Sequence, residues 1–195
     1  MTLSIKEKYR LRSQYGDWAL ISGASSGIGL EIASLLAKAG FNLVLISRNA
    51  DNLLNAKKKI LNESDIKIIS LALDLSYEKS VSEIIHACKD LNIGLLVLSA
   101  GFGTSGLFLD NSIHSELNML KVNVESVLGI THYFAQKMTL QGRGGIIFLS
   151  SIVAFQGTPY ASNYAASKAY IQSFAEGLAV ELKPKGIDVL AAAPG

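Results

Sequence analysis

Apolar runs typical of buried β-strands alternate with segments of helical periodicity along almost the whole chain. Continuous apolar runs are typical of parallel strands, which helices cover on both faces and connect by crossovers. The alternation predicts an α/β fold with right-handed crossovers, in which a doubly wound parallel sheet lies between two helical layers. The predicted strands are 18–21, 41–48, 66–75, 93–101, 144–151 and 187–195, and the predicted helices are 30–39, 51–62, 76–91, 112–139 and 164–183.

The composition is that of a single globular domain. Of the 195 residues 49% are apolar and 17% are charged, which supplies enough apolar surface for a large core. We expect this domain to span residues 18–195, after a polar N-terminal extension over residues 1–17 without the apolar stretch of a signal peptide or membrane anchor. The net charge of +2 and the scattered basic residues predict no nucleic-acid partner and no membrane partner.

Cysteine and histidine are too few and too dispersed for a metal site. Cys88 is the one cysteine, which excludes an intrachain disulfide and a cysteine-based zinc site. His86, His114 and His132 are far apart in the sequence, so no metal is predicted. A chain of this kind suits a reducing compartment, and we predict a cytoplasmic location.

Three glycines at positions 23, 27 and 29 lie in the turn between the first predicted strand and the first predicted helix, in the stretch SGASSGIG. Glycine lets a ligand approach the backbone closely, and the first turn of a helix offers unpaired N–H groups and a positive dipole end. This combination favours a bound diphosphate. The alternative is a tight turn that needs glycine only for its backbone conformation, and the glycine pattern alone does not decide between the two.

Polar residues and glycines also follow the other predicted strands, at Ser47–Arg48, Asp74–Leu75, 99–103 and Ser150–Ser151. Ligands of doubly wound sheets bind outside the carboxyl ends of the strands, near the switch in strand order. We therefore expect these segments and the glycine turn to converge on one cleft.

Tyr164 and Lys168, in the stretch YAASK, are four residues apart in a predicted helix and so lie on one helix face. A nearby ammonium favours the phenolate form of a tyrosine, which suits it to general acid and base chemistry. Ser151 can donate a hydrogen bond to a substrate oxygen, and Asn123 occupies a mid-helix position where asparagine is mildly unfavourable. Taken singly, each also has an ordinary explanation: a helix-surface pair, a serine that ends a strand, and a tolerated asparagine.

Four motifs stand in the order typical of the short-chain dehydrogenase/reductase (SDR) family: SGASSGIG, VN at 122–123, SS at 150–151 and YAASK. The chain resembles this family from residue 18 to residue 195. The resemblance implies a Rossmann fold and hydride transfer between a nicotinamide cofactor and a small carbonyl or alcohol substrate. It implies four catalytic residues: Tyr164 moves the proton, Lys168 binds the nicotinamide ribose and favours the phenolate, Ser151 polarises the substrate oxygen, and Asn123 positions a water. Ser151 and Tyr164 are the implied substrate contacts.

The resemblance also implies the cofactor site, in which Asp74 bonds the adenine and Pro194–Gly195 borders the nicotinamide. The implied cofactor-binding residues are Gly23, Ser25, Ser26, Gly27, Ile28, Gly29, Arg48, Asp74, Leu75, Ala100, Gly101, Asn123, Tyr164, Lys168, Pro194 and Gly195. Arg48 follows the second strand, and no acidic residue occurs before Asp51. Arginine at this place accommodates the 2′-phosphate of NADP, whereas an acidic residue binds the ribose of NAD, so we predict NADP(H) in preference to NAD(H).

The chain departs from the family pattern at three places. Ser22 stands where the family has threonine, and LSAG at 98–101 replaces Asn-Asn-Ala-Gly. The second change either loosens the hydrogen bonding at the centre of the sheet or marks a subfamily, and neither alternative removes a catalytic group. The chain also ends at Gly195, whereas family members continue through a substrate-covering segment to a seventh strand. We therefore expect six strands and an incomplete substrate site.

The substrate prediction is coarser than the reaction prediction. The stretches GDWALISGASSGIG and NIGLLVLSAG resemble 3-oxoacyl reductases and hydroxysteroid dehydrogenases, which favours a 3-oxoacyl thioester or another apolar ketone; the glycine spacing disfavours sugar-nucleotide epimerases and dehydratases. Apolar loop residues that line a pocket or join the core are Phe102, Leu107, Phe108, Ile152, Val153 and Phe155. A homodimer or homotetramer is implied through the long helices after strands four and five. A catalytically silent NADP(H)-binding sensor or scaffold is the alternative function.

Overall fold

A computed structural model describes residues 3–195. Its strands are β1 (Trp18–Ser22), β2 (Asn42–Ser47), β3 (Ile68–Ala72), β4 (Ile93–Leu98), β5 (Gly144–Leu149) and β6 (Ile187–Ala192). Its α-helices are α1 (Ile5–Tyr15), α2 (Gly27–Lys38), α3 (Ala50–Leu61), α4 (Lys79–Ala87), α5 (Ile113–Leu120), α6 (Ser126–Gln141) and α7 (Ser162–Leu182). No helix within the described residues is long and apolar enough to cross a membrane.

The six strands form one parallel sheet in the order β3-β2-β1-β4-β5-β6. Helices cover both of its faces, because successive residues of each strand point to opposite sides. In β1, Leu20 packs with the core under α4, α6 and α7, whereas Ala19 and Ile21 pack with the core under α2 and α3. The predicted three-layer, doubly wound fold is confirmed, and its strand order reverses between β1 and β4.

The predicted helix over 112–139 is interrupted. Residues Lys121–Glu125 form one π-helical turn between α5 and α6, and Asn123 is buried within it. A π turn widens the helix locally and is frequent at functional sites. The same interruption explains why an unfavourable helical residue is tolerated at this position.

The polar segment before residue 18 contains α1, which a capping box at Ser4 and Glu7 begins. The hydroxyl of Tyr15 at its end donates to Asp188 Oδ2 at 2.9 Å, and Arg143 donates to the carbonyl of Ser13 at 2.6 Å. α1 therefore lies across the amino ends of β5 and β6 and packs with the domain, although its sequence has little apolar surface.

Candidate functional site

The glycine turn between β1 and α2 is built by close backbone packing. A Cβ atom on Gly29 would lie 2.3 Å from the carbonyl oxygen of Gly23, and one on Gly23, whose φ is +70°, would lie 2.8 Å from the amide nitrogen of Ala100. Any larger residue at either position would force the turn away from β4. The first turn of α2, which begins at Gly27, therefore opens directly on to the carboxyl ends of β1 and β4.

Ser22 and Ser99 join β1 and β4 at the point where the chain departs from the family pattern. The Ser99 hydroxyl donates to the carbonyl of Ser22, and the Ala100 amide donates to the Ser22 hydroxyl at 3.1 Å. These bonds connect the two central strands where asparagines were expected. Of the two explanations for LSAG, these hydrogen bonds disfavour a loosened sheet centre and favour a subfamily pattern.

Ser47 and Arg48 end β2 beside the glycine turn. The hydroxyls of Ser25 and Ser47 lie 2.7 Å apart, and Arg48 is exposed at the rim of the cleft. Within residues 3–195 no carboxylate lies within ion-pair distance of Arg48. Its guanidinium is thus available to an anion.

Tyr164 and Lys168 lie on the face of α7 that points to the cleft. Lys168 is 7% exposed; its ammonium donates to the carbonyl of Leu149 at 2.8 Å and lies 5.8 Å from the centre of the Tyr164 ring. Burial lowers the pKa of Lys168. The pair therefore combines a phenol with a cation that is poorly hydrated and held in place.

Asn123 is bonded on all sides. Its amide nitrogen donates to the carbonyl of Phe102 at 2.9 Å and to the hydroxyl of Ser167 at 3.1 Å, and its amide oxygen accepts from the Phe102 N–H at 3.1 Å. A Cβ atom on Gly101 would lie 3.0 Å from that oxygen and 3.5 Å from the nitrogen of Lys168. Asn123 thus fastens the segment after β4 to α7, beside Lys168.

Ser151 follows β5, and its hydroxyl donates to the carbonyl of Pro194 at 3.5 Å while accepting from the Val153 N–H at 3.4 Å. The Ile152 N–H also donates to Pro194, at 3.1 Å. The segments that follow β5 and β6 are therefore joined at Ser151 and Pro194.

One cleft of about 900 Å³ at the carboxyl edge contains most of the predicted site. The predicted cofactor residues that line it are Gly23, Ser25, Ser26, Gly27, Ile28, Gly29, Arg48, Asp74, Leu75, Ala100, Gly101, Tyr164, Lys168 and Pro194. Three predicted residues do not line the cleft: Asn123, Ser151 and Gly195. Asn123 and Ser151 nevertheless hydrogen-bond to residues that line it, Phe102 and Pro194 respectively. Ser47 and Asn118 line it without having been predicted as binding residues; a polar residue at a strand end was the signal for Ser47.

These residues fit a dinucleotide. The cradle at Gly23 and Gly29 is space that a side chain would fill, and it faces the unpaired N–H groups of α2. One carboxylate oxygen of Asp74 accepts from the Ser76 N–H at 2.9 Å, which orients the group at the cleft. The cleft continues from there past Ala100 to Tyr164, as an extended two-nucleotide ligand requires.

Residues 17–195 match the short chain dehydrogenase family. A 7beta-hydroxysteroid dehydrogenase of Clostridium sardiniense is 30% identical over 184 residues, which are 94% of this chain and 70% of that relative. A very-long-chain 3-oxoacyl-CoA reductase of Podospora anserina is 34% identical over 179 residues, 89% of this chain and 53% of that relative. A solved structure of a short-chain dehydrogenase from Sphingobium yanoikuyae in complex with NADPH aligns with a TM-score of 0.87 at 31% identity, over 91% of this chain and 70% of that one.

Proposed function

This chain belongs to the short-chain dehydrogenase family, as its motifs predicted, and we propose that it interconverts a ketone and a secondary alcohol with NADP(H). Membership makes it an oxidoreductase of the alcohol and ketone class, and its neighbours support a nicotinamide cofactor. The observation that carries the proposal is the pairing of Tyr164 with the buried Lys168 in the cleft that begins at the glycine turn.

A bound nicotinamide would supply or accept the hydride, while residues of the protein would bind the cofactor, orient the substrate and move the proton. The glycine turn and the first turn of α2 would hold the diphosphate, and Asp74 would bond the adenine. Lys168 would bond the nicotinamide ribose, since its nitrogen has donors beyond the one given to Leu149.

Tyr164 would give its phenolic proton to the carbonyl oxygen during reduction and take it back during oxidation. The ammonium of Lys168 would stabilise the phenolate of Tyr164 electrostatically. Because its pKa is lowered, Lys168 would also give up a proton more readily when Tyr164 has to be reprotonated. Ser151 would polarise the same carbonyl oxygen. The side chain of Asn123 is already bonded to Phe102 and Ser167, so a relay water would have to bind its main-chain carbonyl.

NADP(H) is proposed over NAD(H) because the end of β2 carries Arg48 and no carboxylate. A guanidinium binds a phosphate monoester through charge-assisted hydrogen bonds. Ser25 and Ser47, whose hydroxyls lie 2.7 Å apart, line the same cleft as Arg48 and offer a further hydroxyl donor. The bound NADPH of the Sphingobium yanoikuyae relative is consistent with this preference.

The proposed substrate is a bulky apolar ketone or a 3-oxoacyl thioester. Large apolar side chains are exposed on the loops that follow β4 and β5, namely Phe102, Leu107, Phe108, Ile152 and Phe155. Several exposed apolar side chains on loops at the mouth of a cleft are typical of a binding site, and an apolar substrate would cover them. The names of the two relatives, a steroid dehydrogenase and a very-long-chain acyl reductase, support the same class.

We also propose a homodimer or a homotetramer that uses the outer face of α5 and α7. Leu117 and Tyr170 are 50% and 41% exposed there and line a groove of about 510 Å³. A second copy would cover these side chains in a twofold arrangement. Light scattering of the purified chain measures the mass directly, and a monomer would contradict the proposal.

A cytoplasmic location is proposed from the chemistry of the one cysteine. Cys88 is free and buried, and burial raises its pKa to about 11, so the thiol is held in its unreactive form. Cell fractionation of the tagged chain tests the location.

Titration with NADPH, followed by turnover of a ketone panel, tests the function. We expect NADPH to bind more tightly than NADH, and an apolar cyclic ketone or a 3-oxoacyl thioester to be reduced faster than acetone. Binding without turnover of any member of the panel would support the alternative, a silent NADP(H)-binding sensor or scaffold, which the presence of all four predicted catalytic residues disfavours.

A further inference from the structure

Glu116 is a buried carboxylate that the proposed mechanism does not use. It lies on α5 and is 2% exposed. A buried charge is costly unless hydrogen bonds replace its water. Its presence therefore calls for partners that hold it.

Two asparagines are those partners. The amide of Asn163 donates to one carboxylate oxygen of Glu116 at 2.6 Å, and the amide of Asn111 donates to the other at 3.0 Å. Within residues 3–195 no basic side chain lies within ion-pair distance of Glu116. The carboxylate is therefore held by neutral groups, namely these two amides and the hydroxyl of Thr104.

The two asparagines belong to different parts of the site. Asn163 lies in the first turn of α7 and directly precedes Tyr164. Asn111 ends the loop that begins at Phe102 and carries much of the exposed apolar surface. Glu116 thus connects the start of α7, the helix that carries Tyr164 and Lys168, to the far end of the loop over residues 102–111, here named the substrate loop.

A second connection between the same two segments lies nearby. The Gly106 N–H donates to the carbonyl of Tyr160 at 2.8 Å, and Tyr160 has a φ of +63°, which is unusual for a residue other than glycine. The ring of Tyr164 itself packs against Gly103, where a Cβ atom would lie 3.2 Å from the ring. The position of the substrate loop and that of the Tyr164 ring are therefore coupled.

We propose that Glu116 is a positioning residue that sets Tyr164 and the substrate loop relative to each other through Asn163 and Asn111. The inference rests on the proposed function of Tyr164. Hydrogen bonding, first of all from Asn163, holds the pKa of Glu116 below its usual value, so the carboxylate is an acceptor for both amides at neutral pH.

Glu116→Gln is the first test, because glutamine keeps the shape but turns one acceptor into a donor that faces the donor of an asparagine. A misplaced catalytic group costs up to roughly 100-fold in rate, and we expect kcat to fall about tenfold or more while NADPH affinity stays within about twofold. Glu176→Gln, which removes an exposed carboxylate from α7, the helix that carries Asn163 and Tyr164, is the matched control and should leave kcat unchanged. A kcat of Glu116→Gln equal to that of the control would overturn the proposal.

The double variant Glu116→Gln/Asn163→Asp reverses the direction of the bond and restores it. It should recover most of the lost kcat, which a purely structural role would not predict. Asn163→Ala should lower kcat, whereas Asn111→Ala should mainly raise KM, because the first bond reaches Tyr164 and the second reaches the loop. These two single variants also serve if Glu116→Gln fails to fold. Equal effects of both on kcat and KM would overturn the proposal.

Amide hydrogen exchange tests the same link without turnover. Glu116→Gln should speed exchange in residues 104–112 and 161–168 about tenfold, with no change in β1 or α2. If the native chain reduces no ketone, the proposed function fails, but unchanged exchange in both segments is what contradicts the role of Glu116.

Discussion

In this parallel sheet all strands begin at one side, the amino edge, and end at the opposite side, the carboxyl edge. The two sides differ in what lies against the strand ends. At the amino edge, α1 lies across the strands: the Tyr15 ring packs where a Cβ atom on Gly145 would be 2.9 Å away, and its hydroxyl donates to Asp188. At the carboxyl edge the same strands end in a cleft of about 900 Å³ lined by glycines, hydroxyls, Arg48 and Lys168.

The contrast separates stability from function. At the amino edge, both partners of each hydrogen bond and packing contact belong to this chain. Loss of such a contact should therefore lower the free energy of unfolding. The cleft and its rim leave Arg48 and apolar side chains exposed in the protein alone, and such groups add little stability until a ligand covers them. Substitutions at the two edges should therefore have different consequences, and four variants test that expectation.

Tyr164→Phe, at the carboxyl edge, should have the largest effect. The loss of the proposed proton donor should lower kcat by roughly 10²–10⁴-fold, the usual contribution of general acid–base catalysis, with little change in melting temperature or NADPH affinity. Steady-state kinetics and thermal melts measure both quantities. Tyr9→Phe, at a side chain that is 75% exposed on α1, is the control, and kinetics of Tyr164→Phe that match it would remove Tyr164 from this role.

Arg48→Asp should exchange the cofactor preference. Loss of charge-assisted hydrogen bonds worth about 1.5–3 kcal/mol should weaken NADPH binding by roughly 10- to 100-fold, and NADH should then be favoured. Fluorescence titration with each cofactor gives the ratio. Arg10→Asp makes the same charge change on exposed α1, and a ratio that shifts equally in both variants would attribute the effect to net charge.

Gly29→Ala should affect both properties, since the glycine turn belongs to the core and to the cleft. The added Cβ atom would lie 2.3 Å from Gly23 O, so the backbone must move, at a cost of about 1–3 kcal/mol in unfolding free energy, and NADPH affinity should fall. Gly177→Ala on α7 is the matched control, because no atom within 4 Å obstructs its Cβ. That control should gain about 0.5–1 kcal/mol. Equal unfolding free energies of the two variants would contradict the packing described for the turn.

Tyr15→Phe, at the amino edge, should have the smallest effect, and on stability alone. Losing one partly exposed hydrogen bond should cost about 0.5–1 kcal/mol, with kcat unchanged. Burial, and then the carboxylate of Asp188, raises the pKa of Tyr15. Its contribution is therefore complete below the ordinary tyrosine pKa and is lost as pH rises through the higher folded value. Denaturant unfolding from pH 7 to pH 11 should show a smaller alkaline decrease of the unfolding free energy in the variant than in the native chain. An altered kcat would contradict the separation of stability at the amino edge from function at the carboxyl edge.

The sequence by itself determined the layered sheet, the glycine turn and the Tyr164–Lys168 pair. Each depends on local spacing: alternating strand and helix periods, glycines at a strand-to-helix turn, and two side chains one helical turn apart. Family resemblance added the order of the motifs, and the comparisons confirm the family, the fold and the resemblance to hydroxysteroid dehydrogenases and 3-oxoacyl reductases.

Tertiary structure decided what depends on residues distant in sequence. Ser22 and Ser99 can hydrogen-bond because β1 and β4 are neighbours in the sheet, and α1 packs because Tyr15 meets Asp188, 173 residues away. The π turn places Asn123 against Phe102 and Ser167, and Glu116 meets Asn163 across two helices. None of these pairs has a local signature, since a hydrogen bond between remote segments leaves no period in the sequence; only the folded chain brings the two partners together.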